Sequence, residues 1–229
     1  MSNAASSQQA AFQAGSSSTA PLNTPTLITP VITPLIATAT LKASRPRYGY
    51  AATLDATDER MAELNAQYAE RGWDDTELWD LQWSTTRYLA DLLPAWLQDR
   101  TDIVGEQRSL LAGLAEVIRF VVDSRDSDAL TERHVYVTLA ASVNGVIDQF
   151  SQYPDLAILL SGWLAERLEA FAEMTHSYPS DLTMDQWRDI LNAMATSLRI
   201  IVRDTGRLDD PRSERALSLL RTWFIDLWS

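Results

Sequence analysis

The chain has 229 residues, a net charge of −12, 46% hydrophobic residues and no cysteine. A hydrophobic share of that size supports a sizeable core, the lack of cysteine excludes disulfides, thiol catalysis and Cys-based zinc sites, and the only histidines, His134 and His176, exclude a His-rich metal site. Residues 1–54 carry Lys42, Arg45 and Arg47 and no acid, while the remainder carries all 31 acids and a net charge of −15, so the body repels phosphate and direct nucleic-acid binding by it is not expected.

Residues 1–20 are low-complexity Ser, Ala and Gln and read as a flexible tail. Residues 21–54 read as an extended docking arm. Thr24-Pro25, Thr29-Pro30 and Thr33-Pro34 punctuate Leu27, Ile28, Val31, Ile32, Leu35 and Ile36. Proline forbids a helix interior here and biases the preceding threonine toward extended backbone. An extended apolar strip is a liability on a free monomer, so it is expected to pack on its own body, a sister subunit or a partner. The same prolines interrupt the stretch from Leu27 to Leu41, so neither a signal-peptide core nor a membrane span is expected.

Residues 55–229 read as a helical bundle. Thr57 caps a helix that Gly72 ends. A second helix is expected over about 76–97, with Leu78, Leu81, Thr85, Tyr88, Leu92 and Trp96 at helical spacing and a kink or end at Pro94. A third covers 105–123, with Leu110, Leu114, Val117 and Val121 as its stripe. A fourth covers 130–150, with Val135, Leu139, Val143, Val146 and Phe150. A fifth opens at Pro154, carries Leu160, Leu164, Leu168 and Phe171, and ends near His176. The sixth opens on the capping box Thr183-Met184-Asp185-Gln186, carries Trp187, Leu191, Met194, Leu198 and Ile201, and closes at Gly206. The seventh opens at Asp210-Pro211 and turns Leu217, Leu220, Phe224 and Leu227 inward. The fold class is therefore all-α: a single bundle of six to seven helices behind an extended, Pro/Thr-rich N-terminal arm.

Two segments and the C-terminus stand out together. They are Trp79-Asp80-Leu81-Gln82-Trp83-Ser84 leading to Pro94, Tyr178-Pro179 before Trp187-Arg188-Asp189-Ile190-Leu191 and Met194, and Leu219-Leu220-Arg221-Thr222-Trp223-Phe224 with Leu227-Trp228. This set resembles a family of uncharacterised tailed-bacteriophage proteins. The resemblance implies phage origin and a helical scaffold, with the host cytoplasm or the virion as its setting. It brings no activity with it.

No catalytic constellation is expected. Glu173-x-x-His176 has the spacing of a di-metal bundle ligand pair, but such a site needs a second pair, and Glu132-Arg133-His134 lacks the spacing. Asp74, Asp75, Glu77 and Asp80 form an acidic run, which capping and the helix macrodipole explain. Ser84 and Ser180 have no histidine at motif spacing, and no glycine-rich phosphate loop exists. Lys42 is the only lysine. The chain is thus read as a non-enzyme without cofactor. Most of the tryptophans are expected in the core, with one of each close pair, Trp79 and Trp83 or Trp223 and Trp228, left to make a contact. Trp79 and Trp83, four apart, are expected on one helix face beside Asp80 and Arg87. With the apolar arm residues, Trp79, Trp83 and Arg87 make the candidate partner-binding set, the partner being a second copy or another phage or host protein. The alternative is an accessory protein that takes a host factor or small signalling ligand in an aromatic pocket bearing Arg87, Arg133 or Arg167.

Overall fold

The computed structural model describes residues 47–49, 56–126, 132–204 and 208–228, all within one compact unit, Ala37–Ser229. They form eight α-helices: α1 Asp58–Arg71, α2 Thr76–Trp79, α3 Leu81–Asp99, α4 Gly105–Asp126, α5 Glu132–Asp148, α6 Pro154–Met174, α7 Met184–Arg203 and α8 Pro211–Trp223. A 3-10 turn, Phe224–Asp226, follows. Among the described residues there is no strand, only an isolated bridge between Asp80 and Trp228. The expected tail, 1–20, and arm strip, Leu27 to Ile36, lie outside the described residues, as does Gly206.

The helix ends follow the local chemistry. Thr57 accepts from the Arg60 amide, and Gly72 ends α1 at φ 82°, a left-handed conformation that glycine adopts without strain. Thr183 and Gln186 complete a reciprocal capping box on α7. Asp210 caps α8 ahead of Pro211.

Sequential neighbours pack side by side: α3 with α4, α4 with α5, α6 with α7 and α7 with α8. Contacts of α6 with α3 and of α5 with α8 join the two sets into one core. That core holds Trp83, Trp187, Phe150, Phe171 and Phe224, each exposed by 2% or less.

Three expectations need correction. The predicted helix over 76–97 is two helices. At Asp80 the backbone leaves helical geometry (φ −141°, ψ 71°), its carboxylate caps the Trp83 amide, and the Gln82 amide donates to Leu227 O at 3.0 Å. The C-terminal segment thus takes hydrogen bonds that a continuous helix would keep. Pro94 does not end α3, which runs on to Asp99. Proline cannot donate to the carbonyl four residues back, and Arg119 Nη2 reaches from α4 to Ala90 O at 2.8 Å in its place. Finally, the buried stripe of α4 is Leu111, Ala115, Ile118 and Val122 with Val121, while Leu110 and Val117 face outward.

Candidate functional site

The short link between α1 and α2 concentrates charge in the interior. Gly72 turns the chain, Trp73 enters the core, and Asp74 and Glu77 are both fully buried. Asp74 accepts from the Thr76 amide at 3.0 Å and from its hydroxyl, fixing the start of α2. Asp75 pairs with Arg71 at 2.5 Å and with Arg60 at 3.7 Å. Glu77 Oε2 accepts from Arg167 Nε of α6 at 2.8 Å. Buried carboxylates persist only with such partners. Burial pushes the Glu77 carboxyl up against the opposing pull of Arg167, and burial likewise lowers Arg167 against the support of Glu77. The pair as a whole is neutral.

The residues just before α1 dock onto this cluster. Arg47 lies 4.5 Å over the Tyr68 ring, donates to Asn65 Oδ1 at 2.7 Å and stands 3.9 Å from the Asp74 carboxylate. The Tyr48 amide donates to Glu77 Oε1 at 3.4 Å, and Ser84 Oγ donates to Tyr48 O at 3.3 Å. Gly49 is fixed by space: a Cβ there would overlap Thr76 Oγ1 and the Glu77 amide nitrogen. The Tyr48 ring meets Tyr88 and Trp163 edge-on, and those two rings stack at 4.5 Å and 7°. Burial and nearby Asp91 push the Tyr48 phenol up. The Arg167 guanidinium lies 3.9 Å from the Trp163 ring centroid. Beside these residues a cavity of about 530 Å³ opens between α3, α6 and α7.

A second surface lies on α4 and α5. Leu110, Val117, Phe120 and Val137 are exposed, Phe120 by 58%. A groove of about 570 Å³ runs between α3 and α4, with Pro94, Leu97, Ala112 and Ala115 along it and Phe120 at its side. Arg108 closes the end of α3 by donating to Leu97 O and Arg100 O at 3.1 and 2.9 Å.

The residues expected to meet a partner are scattered. Trp79 ends α2 and is 37% exposed, whereas Trp83 is 1% exposed and belongs to the core. The break at Asp80 is the reason they share no helix face. Arg87 is half-buried, 6.0 Å from the Trp83 ring centroid. Leu27, Ile28, Val31, Ile32, Leu35 and Ile36 fall outside the described residues. Of the alternative's arginines, Arg167 lines the aromatic cavity and Arg133 belongs to α5. Glu173 and His176 are exposed at the end of α6, and no group of three or more His, Asp or Glu side chains could hold a metal among the described residues. Sequence reading missed Tyr48 and Trp73 and took Glu77 for a capping acid. The available signal was an Arg-Tyr-Gly triplet late in the basic arm, a composition that anticipates an acidic, aromatic docking site.

The described residues define an all-α bundle with a charged, aromatic interior and an unpartnered apolar face. No protein family, curated protein or solved structure matches the chain. No helix among the described residues is long and apolar enough to cross a membrane.

Proposed function

We propose that this protein is a non-enzymatic assembly component of tailed-phage type, which joins copies of itself through the groove between α3 and α4 with the adjoining exposed face of α4, and through its N-terminal arm. Its setting is then the host cytoplasm and, when packaged, the virion. The observation that carries this reading is the exposed Phe120 standing beside an apolar groove of about 570 Å³ on the same surface. A twofold contact must be self-complementary. Knob and hole on one face meet that requirement, and Arg108 and Arg119 beside Glu116 and Asp123 supply both signs of charge. Single exposed apolar residues are ordinary, but a cluster on one helical hairpin marks an interface.

Light scattering on the full chain tests the proposal. An oligomer is expected at micromolar concentration, with lower mass for Phe120→Glu and for the triple change Ile28→Ser, Ile32→Ser and Ile36→Ser. A monomeric full chain would sink it. A second reading, an accessory protein that binds a host factor or small ligand, is favoured by the buried Arg167 beside Tyr48, Tyr88 and Trp163.

A further inference from the structure

The assembly reading makes no use of the cavity beside Trp163. At about 530 Å³ it has the size of a small-molecule site. Ile158, Leu159 and Val202 form an aliphatic wall, and Arg167 and Glu166 supply charge. Arg167 is 5% exposed. Its Nε is taken by Glu77 and its Nη1 by Trp163 O at 2.9 Å, while Nη2 makes no hydrogen bond among the described residues. Nη2 is not sealed from solvent, so it is open to an acceptor that enters the cavity.

Charge and ring geometry narrow that acceptor. Glu77 neutralises Arg167, and Glu166, an exposed side chain at the cavity, leaves the surroundings at a net −1. A free carboxylate or phosphate would enter against that charge. Trp163 is already stacked on Tyr88 and covered by the Arg167 guanidinium, so a planar ring gains little there. What fits is a neutral oxygen acceptor on a branched aliphatic body.

We propose that this cavity binds an uncharged or singly cationic aliphatic amide, of the class of an amino-acid amide. Its carbonyl accepts from Arg167 Nη2, its side chain packs on Ile158, Leu159 and Val202, and an ammonium, when present, faces Glu166. The inference rests on the second reading above and is independent of self-association, so a monomeric chain leaves it standing.

The test is a charge ladder, read by ligand-observed saturation-transfer NMR on the full chain with leucinamide, N-acetyl-leucinamide and N-acetyl-leucine. The two amides are expected to bind, and the acid at least about tenfold more weakly, since like charge is disfavoured in a low-dielectric site. Gly162→Leu places a side chain at the cavity lining, where a Cβ meets only Val202 Cγ2 at 3.7 Å, and it replaces a helical glycine with a better helix former. Amide binding should vanish while the unfolding temperature does not fall. Leu159→Glu, at a 42% exposed position, should weaken the neutral amide about tenfold by placing charge on the aliphatic wall. Equal binding of the acid, unchanged binding in either variant, or no amide binding up to about 10 mM, well above ordinary weak-ligand affinities, would each overturn the proposal.

Discussion

Glu77 and Arg167 stand ninety positions apart and meet where almost no water reaches. Each alone would be an uncompensated charge in the interior, so each depends on the other. Glu77→Leu and Arg167→Met are each expected to cost about 3–5 kcal/mol, the usual penalty for orphaning a buried ion. The double change Glu77→Leu with Arg167→Met removes both charges and should recover most of that loss. Urea unfolding of the four proteins measures the coupling, and strictly additive costs would show that the two side chains do not depend on each other. Nothing in the local sequence announces the pair. Glu77 sits among acids at a helix start, where the macrodipole is a sufficient explanation. Its burial is set by α6, which brings in Arg167.

The elements show how far a local pattern reaches. α7 carries one apolar stripe between polar faces, and Trp187, Leu191, Met194, Leu198 and Ile201 are all buried as their spacing predicts. α4 instead carries doublets: Leu110-Leu111, Leu114-Ala115, Val117-Ile118 and Val121-Val122. Two stripes about 100° apart satisfy the same period, and docking on α3 decides which is buried. Arg108 and Arg119, both reaching α3 carbonyls, mark the buried side. The break at Asp80 is equally invisible locally, since Leu227 and Trp228 impose it from the far end of the chain. The clamp on Pro94 gives a test at this scale. Arg119→Met leaves Ala90 O without its donor and should cost about 1–3 kcal/mol, with a small part from the exposed pair to Asp91. In a Pro94→Ala background the helix amide can serve Ala90 O, and the same Arg119 change should cost clearly less. Equal costs in both backgrounds, by denaturant unfolding, would remove the carbonyl from the explanation.

At the scale of the whole molecule, the division between basic arm and acidic body has a physical junction. Arg47 brings positive charge to buried Asp74, Tyr48 fixes Glu77 and Ser84 through its backbone, and Gly49 lies against the start of α2. Residues 47–49 are thus seated on the body, and Tyr48 completes the wall of the aromatic cavity. Gly49→Ala tests whether this segment is held by close packing. The added Cβ overlaps the Glu77 amide nitrogen as well as the Thr76 side chain, and a backbone atom cannot rotate away. The change should cost about 1–3 kcal/mol by overpacking and should speed tryptic cleavage after Arg47, because release of the segment frees that bond. Thr76→Ala removes only the side-chain overlap, so it should not rescue Gly49→Ala. A Gly49→Ala protein with unaltered unfolding and cleavage would mean that residues 47–49 are not seated on α2.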